Sequence, residues 1–267
     1  MMQNEIRKRS LLQRMAIVLA VVIQIGATFL PQLGYGEPIG DRSDAVRTLI
    51  TPAGWAFAIW GPLFLGCGIF ALWQTLPAQK SNALLDRIGW YAVVALSMQG
   101  VWAIYTQFAN LTVISSIIIV TSLGALLLIL RELVALRRPF TTGERWILAL
   151  VFSALTAWLT AASIVNISAS LSYHGFGSDG EYPFVTAAII QLGGIIAAVA
   201  VWRSRGNPWY SAVFCWALLA IFFRGGQQYT IIAVACGASA VIVIYAMLAK
   251  LSDRADRHHW IGRGKSG

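Results

Sequence analysis

The chain has 267 residues, 58% of them hydrophobic and 12% charged, with a formal charge of +9 and a mean hydropathy of +0.69. Soluble domains carry about 25% charged residues, so this composition excludes an ordinary soluble fold and points to a membrane protein. Cys67, Cys215 and Cys236 lie in three separate apolar runs, which excludes a disulfide framework and a zinc-ligand spacing.

In chain order, eight runs have the length and apolarity of membrane-spanning helices: Met15–Leu33, Trp55–Leu76, Ile88–Phe108, Leu111–Ile129, Trp146–Leu171, Pro183–Trp202, Trp209–Phe223 and Tyr229–Ala249. The expected fold is an all-α polytopic bundle. The first run follows Arg7, Lys8 and Arg9, as a secretory signal would. It is longer than a signal core and no small-residue cleavage site follows it cleanly, so a retained helix is expected.

The second run opens TPAGWAFAIWGPLFLGCG. Pro62 within it predicts a kink, because proline frees a helix carbonyl. Trp60, Phe64 and Gly68 recur at i, i+4 and i+8, on one side of a helix. Two readings fit: an aromatic wall, or close helix packing at Gly61, Gly66 and Gly68 with Trp55 as an interfacial anchor. The third run sets Gln99, Trp102 and Thr106 on one stripe, and the fifth does the same with Trp158, Ala162 and Asn166. An amide in hydrocarbon needs a partner, so Gln99 and Asn166 face each other, a carbonyl, water or a ligand. The seventh run is the shortest and ends at Arg224-Gly225-Gly226, which reads as a tight reversal.

Longer loops occupy Gly34–Gly54 and Ser172–Tyr182. The second reads as a flexible boundary, dividing residues 1–175 from residues 176–267. The tail beyond Lys250 is basic and polar, with His258 and His259 as surface charges, and is expected to be mobile. Pro208 to Trp216 echoes Pro52 to Trp60 with different aromatic spacing, too little for an inverted repeat.

Of the 20 Lys and Arg residues, all but Arg42, Arg47 and Arg224 fall on one side of this eight-span topology. Glu37, Asp41, Asp44, Asp179 and Glu181 fall on the other. The positive-inside rule then places both termini in the cytoplasm, and a cell inner (plasma) membrane is expected. The excess positive charge faces anionic lipid, and no nucleic-acid partner is expected. No carboxylate, His or Lys lies inside a span, so neither a buried general base nor a Schiff-base lysine is available, and an enzyme is not expected. His174 lies in an outer glycine-rich loop, either exposed or available to haem iron.

The set Pro52, Trp55, Phe57, Trp60, Phe64 and Gly68 resembles the second-helix signature of the TspO/MBR family, the tryptophan-rich sensory proteins related to the mitochondrial translocator protein. Phe64 stands where the family commonly has Tyr. The family's third-helix Asn, three residues before a Trp, is Gln99 before Trp102 here. Its fifth-helix Trp and Asn, eight residues apart, correspond to Trp158 and Asn166. The resemblance covers about Met15 to Leu171. The last three helices have no counterpart in the short five-helix members, so the chain resembles a longer bacterial branch, and a five-helix module followed by a three-helix extension is expected.

The resemblance implies a ligand pocket inside the five-helix bundle, beneath the loop joining its first two helices. The family binds tetrapyrroles such as haem and protoporphyrin, and sterol-like or drug-like apolar molecules. Carried over residue by residue, the ligand-binding set is Trp55, Phe57, Trp60, Phe64, Gln99, Trp102, Trp158 and Asn166. Residues Tyr35 to Thr51 become a lid, with Arg42 or Arg47 near a ligand carboxylate. No cofactor is required, a tetrapyrrole being a ligand, and a homodimer is a further expectation. Two other classes remain open: a carrier completed by the last three helices, and a scaffold using small-residue faces at Gly193-Gly194 or Gly237.

Overall fold

The computed structural model describes residues 8–176 and 182–262. Arg7, Asp179, Glu181, Arg263 and Lys265, which entered the charge alternation, lie outside the described residues. Helix α1 (Leu11–Gly26) begins where the Ser10 hydroxyl accepts the Gln13 N–H, and it continues through 3-10 turns at Ala27–Phe29 and Pro31–Leu33. A short α2 (Ile39–Ala45) follows in the loop, then a 3-10 turn, Gly54–Ile59, running directly into α3 (Trp60–Trp73). Asn82 caps α4 (Ala83–Ala109) and Thr112 caps α5 (Val113–Val134). A π-helical turn, Glu144–Ala149, leads into α6 (Leu150–Tyr173). The chain ends with α7 (Pro183–Arg203), α8 (Pro208–Phe222), α9 (Gly225–Gln228), α10 (Thr230–Leu251) and α11 (Arg254–Trp260).

Among the described residues eight stretches are long and apolar enough to cross a membrane, and they are the eight read from the sequence with their ends moved by about a turn. The chain is an all-helical, multi-pass membrane bundle. α4 packs between α1 and α5, α6 joins α5 to α8, and α7 pairs with α10. α6 is the most enclosed span. One hydrophobic core runs from Ile17 in α1 to Trp260 in α11. Asn207 donates to the Ser153 hydroxyl at 2.7 Å and Tyr210 to that of Thr160 at 3.0 Å, fastening α8 to α6.

Several local expectations are corrected. Pro62 is the third residue of α3, in the middle of the span Gly54–Trp73. The irregularity is the 3-10 turn before it. The chain does reverse at Arg224-Gly225-Gly226, but not through a glycine-only conformation: Gly225–Gln228 form a helical turn and neither glycine is left-handed. Gly225 is needed for approach, since a Cβ there would collide with the Leu49 carbonyl oxygen.

The Gly193-Gly194 face is not free for a partner. A Cβ on Gly194 would overlap Ser239 of α10, whose hydroxyl donates to the Ile190 carbonyl at 3.2 Å. Gly237 is exposed on the other side of α10.

The basic tail docks where mobility was expected. Asp253 caps α11, Trp260 is fully buried, and its indole N–H donates to the Ser204 carbonyl at 2.9 Å. His259, read as a surface charge, is buried with its ring 4.8 Å from that of Phe140. Arg9, one of the rim cations, is buried too, donating to Gln13 Oε1 and to both oxygens of Gln74 at 3.1 Å each; burial lowers its pKa to about 10.

Candidate functional site

The 3-10 turn Gly54–Ile59 advances about three residues per turn, so Gly54, Phe57 and Trp60 fall on one face. α3 then carries that face on to Phe64 at the i+4 spacing. Together with residues of α1 and α4, this face walls a cavity of about 650 Å³. Trp60 and Phe64 stack at 5.0 Å and 23°. Opposite them stand Gln24 of α1 and Gln99, Trp102 and Gln107 of α4. The roof is Pro38, Ile39, Gly40 and Asp44, in and beside α2, together with Arg224.

The structure therefore brings Phe57, Trp60, Phe64, Gln99 and Trp102 onto one cavity. Trp158 and Asn166 line a smaller chamber of about 60 Å³, which shares Ile39, Phe57 and Trp102 with the first as a partition. Trp158 meets Phe57 and Trp60 edge-on from behind. Trp55 is on neither wall. One residue along the 3-10 turn from Gly54, it points away and packs edge-on against Trp216 of α8 at 4.9 Å, half exposed.

Gln99 and Asn166 do not bond to each other. Gln99 accepts from Gln24 Nε2 at 2.7 Å and donates to the Ala95 carbonyl and the Ser122 hydroxyl. Asn166 Oδ1 accepts from the Ser115 and Ser116 hydroxyls, both at 2.9 Å.

The loop arginines are engaged within the protein. Arg42 pairs with Glu37 at 3.2 Å and donates to the Gln107 carbonyl; Arg47 pairs with Asp44 at 3.1 Å. The cation on the cavity wall is Arg224, which donates to Asp44 at 2.8 Å and to the Pro52 carbonyl at 3.0 Å. This hydrogen bond from Arg224 holds the Asp44 carboxyl below the usual carboxylate range. His174 caps the end of α6, exposed and off both cavity walls, its ring edge-on to Tyr173. Among the described residues no group of three or more His, Cys, Asp or Glu side chains is placed to hold a metal ion.

A family model described as TSPO-like protein matches residues 10–249. The chain belongs to the TSPO-like protein family. No curated protein and no solved structure matches it. The family match is not confined to the first five spans: it continues through α7 and α8 into α10, so the last three spans belong to what the TSPO-like model describes. Gln24, Gln107, Asp44 and Arg224 are wall residues that sequence reasoning passed over. For the two glutamines the signal was present, since each is an amide inside an otherwise apolar run.

Proposed function

We propose that this TSPO-like chain is a membrane ligand-binding and sensory protein that takes a flat, largely apolar small molecule, porphyrin-like ring systems included, into the cavity beneath α2. The supporting observation is the cavity itself: about 650 Å³, within the usual range for small-molecule sites, with stacked and edge-on aromatic walls and a few amides. Each aromatic contact pair contributes about 0.5–1.5 kcal/mol beyond area burial.

The orientation we favour has both termini in the cytoplasm, in a plasma membrane. Arg42, Arg47 and Arg224 cluster at the end of the bundle roofed by α2, whereas Arg9, Lys80, Arg205 and Lys250 gather at the opposite end. That separation is the one the positive-inside rule requires.

Titration of intrinsic tryptophan fluorescence in detergent-solubilised protein tests the reading. Protoporphyrin and its dimethyl ester are run side by side, so that the ring system is examined apart from its carboxylates. Saturable quenching by either, weakened by Phe64→Ala in protein that remains folded, supports a ligand in this cavity. Absence of saturable quenching by both would leave the aromatic wall as packing.

A further inference from the structure

A second cleft, of about 570 Å³, lies between the loop after α2, the C-terminal end of α6, the first turns of α7 and the turn after α8. It shares only Arg224 with the α2 cavity. Close packing builds it: with no side chain of its own, Gly225 abuts the Leu49 carbonyl, and this contact brings Arg224 and Arg47 together from distant parts of the chain.

Arg47 and Arg224 both bond to Asp44 Oδ1, at 3.1 and 2.8 Å. Two guanidiniums share one carboxylate oxygen, so the trio keeps one net positive charge. A guanidinium carries five N–H donors. Arg47 uses one on Asp44, and Arg224 uses one there and one on the Pro52 carbonyl. Both side chains keep exposed surface, 55% for Arg47 and 20% for Arg224. Among the described residues no carboxylate lines the cleft, whereas Thr48, Ser172 and Thr186 do. Guanidinium N–H groups beside neutral hydroxyls are the donors that suit a phosphate.

Depth decides which kind of phosphate. The spans Glu144–Tyr173 and Pro208–Gln228 end at the cleft and Pro183–Arg203 begins there, so the two arginines stand at the level of lipid headgroups. Phe176 and Tyr182, both exposed, also line the cleft, as aromatic side chains do at a membrane–water boundary. Leu171, Val185 and Ile189 add an apolar floor on the span side, and the first two of these are open to the surrounding hydrocarbon. A soluble phosphate would leave that floor uncovered.

We infer that this cleft binds an anionic phospholipid, its phosphate on Arg47 and Arg224 and an acyl chain along Leu171, Val185 and Ile189. A choline headgroup brings its own cation against the two arginines and is disfavoured. The site lies outside the cavity beneath α2 and does not depend on what fills it.

Hydrogen exchange, read by mass spectrometry on the full chain, tests the inference in three settings: nanodiscs of phosphatidylcholine, nanodiscs of phosphatidylcholine and phosphatidylglycerol in equal parts, and phosphatidylcholine nanodiscs with inorganic phosphate in the buffer. A lipid present at about four times its Kd slows local opening about fivefold. That slowing is expected over residues 46–49 and 182–187 with phosphatidylglycerol alone of the three. Arg47→Gln, which removes a guanidinium, and Ile189→Trp, which fills the floor without changing charge, should each abolish it. If either variant fails to fold, the three-way comparison on the wild type still decides.

Equal exchange with and without phosphatidylglycerol overturns the inference. Equal slowing by inorganic phosphate makes the occupant a soluble phosphate and overturns it too. So does slowing by phosphatidylglycerol that persists in both folded variants, which would put the lipid elsewhere. None of these outcomes bears on the cavity beneath α2, which protoporphyrin quenching reports separately.

Discussion

The indole of Trp158 meets that of Trp60 edge-on, ring centroids 6.1 Å apart and planes at 89°, and it meets Phe57 the same way at 6.3 Å. Trp158 is buried and off the main cavity wall, so it supports the wall from behind. Trp158→Ala removes that support and is expected to cost about 3–5 kcal/mol of stability, the range for deleting a large buried ring. Affinity for a cavity ligand should fall with it, because Trp60 and Phe57 lose the surface that fixes their rotamers. Trp55→Ala, at the Trp216 contact, should leave affinity unchanged. Thermal unfolding and ligand titration of the two variants check this; equal affinity losses would count against the assignment of walls.

The roof is tied down by charge. Arg224 links α2, through Asp44, to the turn after α8, and it also holds the Pro52 carbonyl ahead of the 3-10 turn. Arg224→Gln should speed hydrogen exchange across residues 38–48 and raise the ligand off-rate while leaving the spans intact. The Asp44 carboxyl titrates lower in the folded protein than its ordinary 3.8, so the tether is at full strength above that value and is lost as pH falls through the folded pKa. Roof exchange, corrected for intrinsic rates, should therefore be flat from pH 8 to 5. A roof that loosens in that window would point to a different tether.

Two glycines on the pair α7 and α10 should behave oppositely. A side chain at Gly194 runs into Ser239, while a Cβ at Gly237 meets nothing within 4 Å. Gly194→Leu is expected to abolish folding or lower the unfolding temperature strongly, since overpacking a tight helix contact displaces backbone. Gly237→Leu should be tolerated. Destabilisation by Gly237→Leu comparable to that of Gly194→Leu would mean that Gly237 faces a protein surface rather than lipid.

The eight spans were legible because hydrocarbon enforces long apolar runs; their starts were less so, since apolarity alone began the third and fourth runs at Ile88 and Leu111 where the caps Asn82 and Thr112 start the helices at Ala83 and Val113. The aromatic face was legible in part. Phe57, Trp60 and Phe64 share a wall, but an α-helical spacing cannot reveal that Gly54–Ile59 winds as 3-10, and that winding is what separates Trp55 from Phe57. Gln24 and Gln107 were visible as polar residues in apolar runs, yet their partners, Gln99 and the Ala27 carbonyl, are groups that only packing brings near. The docked tail was not legible at all. Its basic composition resembles that of a solvated segment, and the site for Trp260 is assembled from Phe140 and Ser204, far away in the chain.

That docked tail carries a pH dependence of its own. Burial pushes the His259 pKa from 6.5 down to about 4, with Arg205, Arg145 and His258 adding repulsion and a hydrogen bond to the Leu133 backbone opposing the shift. An undocked tail takes up its proton near pH 6.5, the docked one only near pH 4. Docking is therefore at full strength above pH 6.5 and weakens as pH falls towards 4, by up to about tenfold per unit, the limit for one linked proton. Hydrogen exchange over residues 254–261, corrected for intrinsic rates, should show protection dropping between pH 7 and 5. His259→Phe keeps a ring against Phe140 and cannot titrate, so its protection should stay level over the same range. Wild-type protection that is equally level would show that His259 is not the group linking the tail to pH.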